Sequence, residues 1–279
     1  MNNRVGGLFT LRLRLLGLAW RTSLTWPVTI LIIVALMVPT LSGVNGTVGV
    51  ALRDWLDLLS VMMSSPIALI FPLLVVFIAS SRLYQEMGNR YIVAVRVRVS
   101  IRRYLGSKLL VASLLAFVTF GLSTFLAFVV AFYIWPAIGN PSVQPELYDM
   151  TPAQAATDSL TRVTFSSLLG HGPWTYGAFY SVWVGFSAAL YAAFGTACLV
   201  LVSSRVFALA IPFLGYFVQT MGAALLGTPQ YGLLYAAFPF GLIQSSAWVA
   251  IVPTAILAAV VVALWVHVLV YVRRLETLQ

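Results

Sequence analysis

The chain has 279 residues, 61% of them hydrophobic and only 8% charged, against about a quarter charged in an ordinary soluble domain, which excludes a freely soluble protein. Its 16 Lys and Arg exceed 7 Asp and Glu to give +9, so where the cations stand decides what the surplus means. A single cysteine excludes an internal disulfide framework and any Cys-rich metal or iron–sulfur centre.

The leader, MNNRVGGLFTLRLRLLGLAWR, spaces Leu8, Leu11, Leu15 and Leu18 as one face of a helix and sets Arg14 and Arg21 on another. It admits two readings: an interfacial helix with its arginines on anionic head groups, or the basic flank of the first span. The apolar run behind it is long and no clear A-x-A site follows, so no signal-peptide cleavage is expected.

Six windows are apolar, free of Lys, Arg, Asp and Glu, and long enough to cross a bilayer with their backbone hydrogen bonds satisfied internally. They are Thr22–Gly43, Val61–Ser81, Leu109–Trp135, Tyr176–Val202, Val206–Gly227 and Trp248–Tyr271. The expected fold is therefore all-α, a single membrane domain of six spans over residues 1–279. Pro27, Pro39, Pro66, Pro72, Pro212 and Pro253 fall inside these windows and are expected to kink them.

Between spans two and three, RLYQEMGNRYIVAVRVRVSIRRYLGSK (Arg82 to Lys108) is too charged to span and too apolar for a solvated linker. It reads as a docking surface for a soluble partner, the alternative being a basic loop that touches only head groups. Between spans three and four, the segment Pro136–Trp174 holds one expected helix, with Thr151 as N-cap, Pro152 at its first position, an Asp158/Arg162 i,i+4 pair, and a stop at Gly170–Pro173. Span four carries Gly185, Ala189, Ala193 and Ala197 at four-residue intervals, a small-residue stripe for close helix packing, either within the chain or against a second subunit. The apolar stretch Thr228–Ala247 is broken by Pro229, Gly232, Pro239 and Gly241. It reads as re-entrant or interfacial, with its backbone shielded by protein or water.

Orientation follows from the loops, since Lys and Arg are retained on the cytoplasmic side. With six spans the termini share one side, which holds 14 of the 16 basic residues against Glu86 and Glu276, a sum of +12. The other side carries Arg53 and Arg162 against Asp54, Asp57, Glu146, Asp149 and Asp158, a sum of −3. The chain contains no G-x-x-x-x-G-K-[ST], G-x-S-x-G or H-E-x-x-H motif, so no catalytic residue is assigned and no hydrolysis is expected of it. His171 and His267 lack ligand partners in sequence, Cys198 reads as packing, and no metal site or nucleic-acid partner is expected. Spans without Lys, Arg, Asp or Glu disfavour ion coupling.

Glu86-Met87-Gly88, the apolar run Tyr91–Val95, the basic stretch Ser100–Arg103 and the Lys108-Leu109-Leu110 opening of span three together resemble the permease subunit of an ABC exporter of the second exporter type. The chain departs from that pattern at Arg98, where relatives often carry proline, and at Gln85, where acidic residues are usual. The resemblance implies that Glu86, Gly88, Arg90, Arg96, Arg98, Arg102 and Arg103 form a coupling element received by a separate ATPase, which binds ATP and Mg while this chain binds no cofactor. It implies that two permease subunits, identical or different, enclose a path in a plasma or inner membrane. Span position and chemistry nominate Met62, Met63, Phe71, Phe213, Tyr216 and Gln219 to line that path. The implied cargo is lipidic, amphiphilic, drug-like or a peptide. Two other readings stay open: a membrane scaffold or assembly subunit using the same basic surface, and an ion-coupled carrier.

Overall fold

A computed structural model describes residues 25–47, 49–88, 100–138, 143–240, 242 and 246–277, with side chains followed as far as residue 270. The leader, the run Tyr91–Val95 and Arg90, Arg96 and Arg98 of the expected coupling element lie outside the described residues. Six helices are long and apolar enough to cross a membrane. They are α1 (Trp26–Gly46), α3 (Pro66–Gly88), α4 (Ile101–Val129), α6 (Pro173–Leu201), α7 (Arg205–Leu225) and α9 (Trp248–Thr277). Among the described residues the only β contact is an isolated bridge between Leu52 and Val143. The chain is an all-α, multi-pass integral membrane protein.

Each expected window overlaps one of these helices, and the differences have local causes. The second window opens at Val61, but the chain breaks there into α2 (Trp55–Met63) and α3. Asp54 caps α2 by accepting the Asp57 N–H at 2.9 Å. Pro66, the first residue of α3, disfavours helical backbone at Ser65. Met62 and Met63 therefore belong to the short helix and not to the span. The third helix starts at Ile101, eight residues before its window, because charge ends an apolar window without ending a helix. It continues through a π-helical turn (Val130–Ile134) into Trp135–Ala137.

The pairing of α4 with α6 is the most extensive in the bundle, and glycine makes it close. A Cβ on Gly185 would stand 2.9 Å from the Phe117 carbonyl oxygen, and one on Gly177 would lie 2.4 Å from the Phe128 ring. On the other flank of α6, Val76 of α3 fills the space over Gly195. Lipid gives helices no hydrophobic reason to associate, so contact area of this kind carries the packing.

Helix α5 (Pro152–Arg162) forms where expected, with a full capping box between Thr151 and Gln154. It ends at Arg162, well before Gly170, because Val163 turns extended and Phe165 takes a left-handed backbone before a 3-10 turn at Ser166–His171. Arg162 is 6% exposed and clasps Asp54 at 2.6 and 2.7 Å and Asp158 at 3.0 Å. Arg53 holds Asp57 through two nitrogens at 3.0 and 3.1 Å and covers the Tyr148 ring. These five charges bolt α2 to α5. Burial lifts the Asp54 carboxyl above its ordinary range, and attraction to Arg162 offsets this only in part. Burial opposes ionisation of Arg53, but its hydrogen bond to Asp57 and the fields of three carboxylates outweigh it and raise the guanidinium further.

Candidate functional site

At the basic end of the bundle, α3 and α4 flank residues 89–99 and are clamped together at their roots. Glu86 is 7% exposed and its carboxylate accepts Arg82 Nε at 3.1 Å from one turn back on α3. From α4 it accepts Lys108 Nζ at 2.8 Å and the Tyr104 hydroxyl. Lys108 also lies over the Tyr104 ring, so an i,i+4 pair on one helix meets an i,i+4 pair on the other. A carboxylate this far from water is tolerable because opposite charges and hydrogen bonds occupy it. Arg102, half-buried, and Arg103, exposed, sit on the first turn of α4 next to this clamp, and Gly88 closes α3. The sequence reading singled out Glu86 but missed Arg82 and Tyr104 as its partners. The Arg82/Glu86 and Tyr104/Lys108 spacings were readable, whereas their meeting depends on how α3 and α4 pack.

Within the spans, neutral side chains do the tying. Proline cannot donate to the carbonyl four residues before it, so Pro72 frees the Ala68 oxygen and Pro39 frees that of Ala35. The Tyr216 hydroxyl of α7 donates to Ala68 O at 2.7 Å, and the Ser123 hydroxyl of α4 donates to Ala35 O at 2.6 Å. Trp265 Nε1 of α9 donates to Ala193 O at 2.9 Å. Of the small-residue stripe, Gly185 meets α4, Ala193 meets α9, Ala197 is fully buried and Ala189 is half-buried. Gly185, Ala193 and Ala197 are thus engaged within the chain.

The broken segment after α7 is held in the same way. A 3-10 turn (Pro229–Tyr231) leads into α8 (Leu233–Ala237), and residues 236–240 are all buried. Gln219 accepts the Leu233 N–H at 2.6 Å and donates to Tyr231 O at 2.9 Å. Thr220 accepts the Leu234 N–H at 3.2 Å. At the other end of α8, Trp183 and Tyr180 donate to Ala236 O at 2.8 Å and Ala237 O at 3.0 Å. The irregular backbone is thus shielded by protein, the condition under which such a segment can enter the hydrocarbon layer. Phe238 packs edge-on against Phe71 at 5.1 Å, one and a half turns into α3, a depth of about 8 Å from the start of that helix.

The residues nominated for a path are thereby located. Met62, Phe71 and Tyr216 are core residues, Phe71 being the hub of edge-on contacts with Phe120, Tyr191 and Phe238. Met63 borders an internal cavity of about 10 Å³, room for at most one water. Phe213 is half-buried and stacks on Phe217, and Gln219 spends its amide on the segment after α7. Among the described residues no three His, Cys, Asp or Glu gather as for a metal ion. Comparison of the chain with models of known protein families, with curated proteins and with solved structures finds no match in any of the three.

Proposed function

We propose that the chain is the membrane-spanning permease subunit of an ATP-driven ABC exporter in a prokaryotic plasma or inner membrane. The observation that carries this reading is the Glu86 clamp. It joins the roots of the two helices that flank the basic segment 89–99, so a force on that segment moves α3 and α4 as a pair and does not merely bend a loop. A separate ATPase subunit binds ATP and Mg and pushes there, while this chain hydrolyses nothing and supplies the path. A second permease subunit completes that path. Only 22% of the most apolar stretch of α1 and 33% of that of α7 are buried within the chain, against 67% for α6, and the nominated interior positions are filled in the single chain. The cargo class is lipidic, amphiphilic, drug-like or peptide, since the apolar windows carry no Lys, Arg, Asp or Glu to bind a strongly charged solute.

The test replaces Glu86 by Gln, and separately Arg103 by Ala, in the full transporter with membrane levels matched. Breaking the clamp lowers ATP-driven export about five-fold or more, the lower range of a coupling free energy between sites, and leaves ATPase turnover less responsive to cargo. Unchanged export and unchanged stimulation in both variants would remove these residues from the coupling element.

A further inference from the structure

We propose that the acidic end of the bundle carries a binding site for a small organic cation with an apolar body. The site is a cavity of about 480 Å³ between α2, the π-helical turn of α4 and α5, a volume typical of small-molecule pockets. Trp55 and Leu56 of α2, Phe132 of the π-helical turn, Leu160 of α5 and Leu169 form apolar walls, and Asp54 and Arg53 form the polar one. π-helical turns recur at functional sites, and here the turn contributes an aromatic wall.

The sign of the ligand follows from how the charges are used. Arg162 is buried and gives its nitrogens to Asp54 and Asp158. Arg53 gives its nitrogens to Asp57, leans on Asp158 at 3.6 Å and covers Tyr148. Arg53 and Asp54 line the cavity, and with Asp57, Asp158 and Arg162, which they pair with outside its lining, the two guanidiniums and three carboxylates sum to one negative charge. Asp54 accepts three hydrogen bonds, two from Arg162 and one from the Asp57 N–H, of about four that a carboxylate can accept. Glu146 and Asp149, on the segment that begins with the lining residue Pro145, are exposed and have no ion-pair partner among the described residues. An anion entering the cavity meets the negative field of this cluster and of Glu146 and Asp149 outside the lining, and a neutral molecule gains nothing from it. A cation gains both that field and the faces of Trp55 and Phe132, the pairing of aromatic walls with carboxylate by which organic cations are held. The site stands whether or not the chain is a permease, since binding needs neither an ATPase nor transport.

The experiment uses the full-length chain in lipid nanodiscs, with tetraphenylphosphonium as the cation and tetraphenylborate as an anion of the same shape. Binding is read by equilibrium dialysis and corrected for empty nanodiscs. Saturable binding of the cation, about ten-fold or more tighter than the anion, supports the site. Ala156→Trp, at an exposed position on the cavity wall, then weakens the cation about ten-fold with the unfolding midpoint unchanged. Glu146→Gln with Asp149→Asn reduces the cation preference several-fold without touching the walls, and it decides the matter should Ala156→Trp unfold. Equal binding of the two probes, no saturable cation binding, or full affinity in a folded Ala156→Trp chain would each overturn the proposal.

Discussion

Two prolines in transmembrane helices, Pro39 and Pro72, each strip a hydrogen bond from an alanine carbonyl, and each carbonyl is recovered by a hydroxyl from a neighbouring helix. Tyr216→Phe leaves Ala68 O without a donor inside the bundle and is expected to cost about 1 kcal/mol, the scale of a side-chain hydrogen bond within a membrane protein. In a Pro72→Ala background the restored N–H at position 72 supplies that donor itself, and the same Tyr216→Phe change becomes nearly neutral. A double-mutant cycle from reversible unfolding in detergent measures the difference. An equal cost in both backgrounds would mean that the hydroxyl acts through something other than the carbonyl freed by Pro72, because Tyr216→Phe keeps the ring that packs against Tyr191. At this scale the prolines were plain in the sequence as kink sites, but their hydroxyl partners stand 84 and 144 residues away from them, a separation that no local pattern bridges. Gln219 is a related case. A lone amide near a span end reads as path-lining chemistry, whereas both ends of this amide hold the broken segment after α7.

The helices themselves were largely readable because hydropathy and length decide them, and α5 was readable because Thr151, Pro152 and the Asp158/Arg162 pair are local signals. What the helices touch was not. A step of four residues advances about 400°, so a stripe at that spacing drifts about 40° per step around the helix and passes from α4 at Gly185 to α9 at Ala193. Of the further tight contacts of α6, Gly177 lies two steps before the stripe in the same register and faces Phe128 of α4, while Gly195 lies off it and faces Val76 of α3. Gly195→Ala, whose Cβ would fall 2.7 Å from two Val76 methyl groups, forces a shift of a packed neighbour and is expected to destabilise by about 1–3 kcal/mol. Gly106→Ala, on α4 with open space around it, gains helix propensity and is expected to stabilise by about 0.5–1 kcal/mol. Melting temperatures of the two variants in one detergent separate the cases. Equal shifts would mean that close approach of α3 and α6 is not what Gly195 provides.

At the scale of the whole molecule the charge surplus resolves into two ends of opposite character, a basic one organised around Glu86 and an acidic one organised around buried Arg162. Since Lys and Arg are retained on the cytoplasmic side, the basic end is expected in the cytoplasm. Cysteine placed at Asp149 is therefore expected to react with a membrane-impermeant maleimide in intact cells. Cysteine at Arg103 is expected to react only after the membrane is opened, and the sole native thiol, Cys198, is buried. The reverse pattern would invert the orientation and with it the side from which an ATPase could act. The apolar and arginine-rich insertion proposed for coupling was legible as composition, while the Glu86 clamp was not, because it forms only when α3 and α4 meet. The most direct test of the central claim is affinity isolation of the tagged full-length chain from its native membrane in mild detergent. The permease reading predicts that a soluble ATPase with a Walker A motif is recovered in stoichiometric amount, and that Glu86→Gln reduces its recovery at equal levels of folded chain. Recovery of the intact membrane protein without such an ATPase, from cells in which it is functionally assembled, would contradict the reading and favour a scaffold that uses the same basic surface.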